Sequence, residues 1–127
     1  MGFNSFNSGH KFGPYDILLD DKTSSLYSKA IINRNYSKHT PFAIVSMTFG
    51  KLLTEVHLEE GAIHLNQSIS WERKFNEKQK IFATPKIESK TKRRNNIFIK
   101  IKIQYSDESK NILGKSISTI LITNEGE

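Results

Sequence analysis

The chain has 127 residues, carries a net charge of +6 and is 36% hydrophobic, which is enough apolar content for one globular domain. It contains no cysteine, and this excludes disulfide scaffolds, cysteine nucleophiles and thiolate-bound zinc. No apolar run approaches the roughly 20 residues that span a bilayer, and the first residues hold no apolar signal core. We therefore expect an intracellular protein, cytoplasmic or nuclear.

Residues 1–14 are predicted to form an irregular arm that precedes a single domain over residues 15–127. The arm holds Phe3, Phe6 and Phe12, whose spacing fits neither a helix nor a strand. Aromatic residues are scarce in disordered segments. The arm is therefore expected to dock on its own domain or on a neighbouring subunit.

The first half of the domain contains three candidate strands. Tyr15–Leu19 is short and is followed by two aspartates. Leu26–Asn33 is rich in residues that suit a pleated surface, so a strand is favoured there over a short helix. Phe42–Phe49 is a continuous apolar run ended by Gly50, which is typical of a strand buried on both faces.

Residues 53–71 predict a β-hairpin. The segments 53–59 and 62–71 both alternate between apolar and polar residues, and Glu60-Gly61 lies between them. With a two-residue turn at this point, His57 would face His64 on the polar side of the hairpin. A four-residue loop is the alternative, because Glu-Gly is a weaker turn signal than Asn-Gly.

The second half of the domain predicts three further strands. A short strand at Ile81–Ala83 is expected to end at Thr84-Pro85, since proline interrupts strand ladders. Residues 88–96 are interpreted as a charged loop. Ile97–Tyr105 is the strongest strand, with isoleucines at alternate positions on one face, and Ser116–Thr123 is the last.

About eight short strands separated by turns predict an all-β fold. The number and spacing of the strands favour an antiparallel β-sandwich or jelly roll, with a closed barrel as the alternative.

The positive charge is concentrated in residues 73–102, which hold eleven basic residues against two acidic ones, a net charge of +9. The remainder holds eight basic and eleven acidic residues, a net charge of −3. Clustered lysines next to an aromatic ring suit phosphate contact and base stacking. We predict a polyanion-binding surface, for nucleic acid or an anionic membrane, made of Lys90, Lys92, Arg93, Arg94, Phe98, Lys100 and Lys102.

The strongest metal candidate is the set His57, Glu59 and His64, which the predicted hairpin would bring together. An exposed hairpin offers nothing to orient the imidazoles, so we predict neither a metal nor a cofactor. Phosphate-binding, dinucleotide, zinc-protease and nucleophile-elbow motifs are absent from the sequence. The sequence therefore predicts a non-enzymatic protein with no small-molecule substrate.

These features favour a structural or interaction protein that forms homo-oligomers, with an architecture like that of viral coat or matrix subunits. The alternative is a nucleic-acid-binding accessory protein that uses residues 73–102. A small metal-dependent enzyme is the third and least favoured interpretation.

Overall fold

A computed structural model describes residues 2–18, 41–72 and 80–123. Within these ranges, five strands form one antiparallel sheet in the order β1-β3-β4-β5-β2, and one helix packs against it. No helix in the described ranges has the length and apolar character that a membrane crossing requires. The elements are a single 3-10 turn (Phe3–Ser5), β1 (Tyr15–Leu18), α1 (Pro41–Glu55), β2 (Ile63–Trp71), β3 (Lys80–Arg93), β4 (Asn96–Ser106) and β5 (Ile112–Thr123).

The predicted sandwich or jelly roll of eight short strands is wrong. The described residues form a single sheet, and its strands are fewer and longer than predicted. The strand predicted over 26–33 lies outside the described residues. The strands predicted at residues 15–19, 97–105 and 116–123 are confirmed with small changes in their bounds.

Strand β3 replaces both the short strand and the charged loop predicted between residues 81 and 96. It runs for 14 residues and pairs with β4 up to Arg93 opposite Asn96. Pro85 does not end it, because the Pro85 carbonyl accepts a hydrogen bond from the N–H of Phe12. The nitrogen and carbonyl of one strand residue point to the same side, so the missing N–H faces the N-terminal segment and not β4.

The apolar run at residues 42–49 forms helix α1 and not a strand. Ile44, Thr48 and Leu52 are buried at intervals of four residues, which is the spacing of one helix face. The Thr48 hydroxyl donates to the Ile44 carbonyl one turn earlier, so this buried polar group is paired within the helix. The helical period is hidden in the sequence because the remaining positions of the run are apolar as well.

The predicted hairpin does not form, because its first arm belongs partly to α1, which continues to Glu55. The second arm is confirmed as β2, but it pairs with β5. His57 forms a bridge with Gly2 in place of the expected pair with His64.

The sheet has an inner face that packs on α1 and an outer face turned away from it. On β4 the inner residues are fully buried or nearly so, whereas the outer positions between them are polar or half-exposed. The alternation predicted from the sequence is therefore confirmed for this strand. The buried inner residues of β4 are Ile97, Ile99, Ile101, Ile103 and Tyr105.

The N-terminal segment packs on the domain itself, the first of the two locations expected for its aromatic rings. Phe3 is fully buried and Phe12 is nearly so. Their rings pack edge to face, with the ring centroids 6.4 Å apart. Residues 9–12 also form backbone hydrogen bonds with Pro85 and Ile87 of β3. This segment therefore contributes to the core and covers part of one strand.

Candidate functional site

An apolar cleft opens between α1 and the inner side of β2. Its volume is about 410 Å³. The walls come from α1, from the segment that follows it, from β2 and β5, and from the N-terminal segment. The lining residues are Phe3, Val45, Ser46, Phe49, Gly50, Leu53, Leu58, His64, Gln67 and Ile120.

One face of α1 forms the apolar wall. Val45, Phe49 and Leu53 follow each other at intervals of four residues and so share this face. Leu53 and Leu58 are each 43% exposed, although both are large aliphatic side chains. Apolar surface left in contact with water inside a concave site favours the binding of an apolar group.

The β2 wall supplies polar groups. His64 lies opposite Ile120 and Gln67 opposite Ser118 in the β2–β5 register, and a bulge separates the two β2 residues. The bulge shifts the side-chain alternation by one residue, so both positions face inward despite their odd spacing. Together with Ser46 they place an imidazole, an amide and a hydroxyl in a cleft whose other walls are apolar.

The N-terminal segment completes the cleft and is held at two points. The Glu59 carboxylate accepts hydrogen bonds from the backbone N–H groups of Phe3 (3.0 Å) and Asn4 (2.8 Å). The Lys90 ammonium donates to the carbonyls of Asn4 (2.7 Å) and Phe6 (3.4 Å). Phe3 is thereby fixed with its ring in the core and at the edge of the cleft.

A buried tyrosine lies elsewhere on the inner face. Burial raises the pKa of Tyr105 to about 12, and hydrogen bonds to Ser116 and Thr48 oppose this shift. The hydroxyls of Tyr105 and Ser116 are 3.4 Å apart. The Tyr105 phenol is therefore neutral at physiological pH and links the sheet to α1.

The basic residues predicted to form one polyanion surface are divided by the sheet. Lys90 and Lys92 lie opposite Ile99 and Ile97, which places them in the inner-face register, and Lys90 holds the N-terminal segment. Lys100, Lys102 and Phe98 are on the outer face, while Arg93 and Arg94 lie at the β3–β4 turn. Residues 73–79 of the basic segment lie outside the described residues. Polyanion binding by the seven predicted residues stays a prediction.

The three side chains that the sequence offered as metal ligands are not brought together in the structure. Glu59 binds backbone N–H groups, His57 is exposed, and His64 lines the cleft. The described part of the chain holds no group of three histidine, cysteine or acidic side chains arranged to bind a metal.

The sequence prediction missed the apolar wall of the cleft. The four-residue spacing of Val45, Phe49 and Leu53 was the available signal. It was masked because β-branched residues in the same run also favour a strand.

No family model and no curated protein sequence matches this chain. Several solved structures do match it. The 3R-hydroxyacyl-ACP dehydratase HadBC complex of Mycobacterium tuberculosis superposes with a TM-score of 0.67 at 13% identity, covering 92% of this chain and 98% of that one. An (R)-hydratase from A. caviae gives 0.71 at 11% identity, covering 91% and 96%. A MaoC-like dehydratase from Rhodospirillum rubrum gives 0.67 at 10% identity, covering 100% and 99%.

The fold is therefore the MaoC-like hot-dog fold, in which one antiparallel sheet packs on one helix. At these identities the similarity shows the fold. It overturns the prediction of a non-enzymatic, viral coat-like or nucleic-acid-binding β-sandwich, because the three structures named above have a different fold and are a hydratase and two dehydratases. That prediction rested on the short strands, the aromatic arm and the absence of catalytic motifs, and none of these signals reveals the cleft.

Proposed function

We propose that this protein is a hydratase or dehydratase that binds an acyl chain in the cleft between α1 and β2. The observation that carries the proposal is the composition of the cleft, which has an apolar wall on the helix and an imidazole with an amide on the strand. Proteins with this fold include an (R)-hydratase and a hydroxyacyl-ACP dehydratase. An acyl thioester combines the apolar chain and the polar carbonyl that such a cleft accommodates.

The apolar wall binds the acyl chain. Phe49, Leu53 and Leu58 expose carbon surface to the cleft, and covering it stabilises the complex by about 25 cal/mol per Å². The volume of about 410 Å³ lies within the usual range for small-ligand sites.

The polar wall supplies the proton transfer. In hydration, His64 accepts a proton from water as the water oxygen bonds to the β-carbon of an enoyl thioester. The π electrons of the double bond move towards the carbonyl, and the protonated His64 then gives the same proton to the α-carbon, which completes the addition and restores the neutral imidazole. Gln67 donates a hydrogen bond from its amide to the thioester carbonyl oxygen, where negative charge develops. Dehydration is the reverse of these steps.

The test measures the hydration of a short-chain enoyl thioester through the loss of its ultraviolet absorbance. His64→Ala is expected to lower the rate at least roughly 100-fold, the usual contribution of a positioned acid–base group. His57→Ala is the matched control, since its side chain is exposed and lines no wall of the cleft. A wild-type protein that neither hydrates nor binds the thioester contradicts the proposal, as does equal activity of the two variants.

Leu53→Asp tests the binding step separately. A carboxylate on the apolar wall is expected to weaken binding of the acyl thioester at least tenfold, measured by calorimetry, because the acyl chain would then face a charge. Thr54→Asp adds the same charge at the next helical position, which is exposed and outside the cleft, and should leave binding unchanged. Equal binding by both variants would show that the acyl chain lies elsewhere.

We also propose that the protein self-associates through the edge of β2, as the homo-oligomer expected from the sequence requires. Among the described strands β2 pairs with β5 alone, and near its start Ile63 and Leu65 are 53% and 45% exposed. An unpaired edge with apolar side chains favours strand addition by a second copy. One protein with this fold, HadBC, was solved as a complex.

Light scattering tests this interface. Leu65→Lys is expected to convert the oligomer to a monomer, because a lysine on a strand edge opposes pairing. Ile112→Lys makes the same change at an exposed position of β5, an interior strand, and should leave the mass unchanged. A wild-type protein that is monomeric at all concentrations contradicts the proposal.

A further inference from the structure

A second concave site lies on the outer face of the sheet, opposite the face that packs on α1. Its volume is about 270 Å³, and its lining is polar. Three lysines, a threonine and a glutamine form it: Lys11, Lys86, Lys102, Thr84 and Gln104.

The strand register brings the lysines together. Lys86 and Lys102 are directly opposite each other in the β3–β4 ladder. Lys11 forms a bridge with Lys86 from the other side, so the three residues lie on three neighbouring segments of backbone. Like charges in directly opposed positions destabilise a sheet. An anion bound between them would remove that repulsion.

The neighbouring row of the sheet adds uncharged donors. Thr84 lies opposite Gln104 in the β3–β4 ladder. The threonine hydroxyl and the glutamine amide can both donate hydrogen bonds to an oxyanion. The site therefore presents uncharged donors as well as ammonium groups.

The negative charge at this outer-face site does not balance its positive charge. Glu88 forms an ion pair with Lys86 at 3.6 Å, and both side chains are about two-fifths exposed, at 40% and 38%. Neither Lys11 nor Lys102 forms an ion pair with any of the described residues. One carboxylate thus faces three ammonium groups, which leaves two positive charges at the site.

We propose that this outer-face site binds a phosphoryl dianion carried by a small molecule. Two unbalanced positive charges match a group with two negative charges, and lysines bind phosphate as point charges. The volume accommodates a phosphoryl group with several further atoms, and the mostly polar lining of lysine, threonine and glutamine side chains offers little apolar surface for a lipid chain. This proposal is independent of the acyl cleft, which lies on the opposite face of the sheet.

The experiment is a calorimetric titration of the full chain with inorganic phosphate and, separately, with pyrophosphate. Each titration is carried out at low and at moderate salt. Saturable binding of one equivalent is expected, and it should weaken with salt. Lys102→Gln should weaken it roughly tenfold through loss of one charged donor, and Lys11→Gln should have a similar effect. Glu88→Gln should strengthen it, since the carboxylate repels the anion and competes for Lys86.

Lys51→Gln is the matched control, because it removes one positive charge from an exposed position on α1. Its binding should equal that of the wild type. Binding that is not saturable, or that Lys51→Gln weakens as much as Lys102→Gln, would show a general charge effect and overturn the proposal. Circular dichroism of each variant checks that the sheet is intact, so that lost binding reports the site.

Discussion

The carboxylate of Glu59 accepts hydrogen bonds from the backbone N–H groups of Phe3 and Asn4, at 3.0 and 2.8 Å. The two partners are 56 and 55 residues away along the chain, so this contact fastens the N-terminal segment to the loop between α1 and β2. It places the Phe3 ring in the core, where it also lines the acyl cleft.

Replacing this carboxylate should loosen the N-terminal segment. Glu59→Ala leaves two backbone donors without their acceptor and is expected to lower the free energy of unfolding by about 1–3 kcal/mol, measured by urea denaturation. Glu60→Ala, at an exposed neighbouring position, is the control and should stay within roughly 0.5 kcal/mol of the wild type. Equal losses in both variants would show that the two hydrogen bonds do not stabilise the fold.

Tyr105 predicts a loss of stability in alkaline solution. Its pKa is raised from 10.0 to about 12 in the folded protein, so the native state holds the proton more tightly than the unfolded state does. This contribution to stability is complete below pH 10, where the phenol is neutral in both states. It is lost as the pH rises from 10 to 12 and amounts to roughly 2–3 kcal/mol.

The measurement is the free energy of unfolding at pH 9 and pH 11 for the wild type and for Tyr105→Phe. The variant should lose less stability over this interval, since it has no phenol to ionise. An identical loss in both proteins would show that other groups cause the alkaline transition.

The alternation along β4 predicts opposite outcomes at neighbouring positions. Ile101 is fully buried, and Ile101→Ala is expected to cost about 2–5 kcal/mol through lost contacts and the cavity left behind. Lys100 is exposed on the outer face, and Lys100→Ala should change stability by less than about 0.5 kcal/mol. Thermal or chemical denaturation of both variants checks this, and similar costs would contradict the assignment of the two faces.

The β3–β4 turn contains a strained residue. Arg94 has a φ of 56°, in the left-handed region that residues with a β-carbon disfavour by roughly 1–2 kcal/mol. Arg94→Gly removes that strain but makes the unfolded chain more flexible, so a net gain of about 0.5 kcal/mol is expected. Asn95→Gly is the control and should destabilise, because Asn95 is not among the described residues with positive φ. A loss of stability in both variants would contradict this account of the turn.

The strands and the helix differ in how far their sequences specify them. The isoleucines of β4 alternate with polar residues, and that period alone gives the strand and its buried face. Helix α1 has no such contrast, because Val45, Phe49 and Leu53 are apolar towards the cleft while Ile44 and Leu52 are apolar towards the core. A segment that is apolar on two sides shows no clear period, and its β-branched residues then favour the wrong element.

Proline and charge signals also depend on the neighbouring chain. Pro85 and the charges from residue 88 to 93 indicate a strand end and a loop when the segment is considered alone. In the fold they continue β3, because Phe12 pairs with the edge that proline leaves open and because β4 is long enough to pair up to Arg93. Glu59 gives no local signal for its role, since its partners lie at the start of the chain.

The sequence by itself determined strands β2, β4 and β5, the absence of cysteine chemistry and the concentration of positive charge in residues 73–102. The tertiary structure decided that the strands form one sheet on a helix, that His64 and Gln67 share a cleft with Phe49, and that the predicted basic surface is divided. The physical reason is that local periodicity reports which side of a segment is buried. Which segment covers that side depends on contacts between residues distant in sequence.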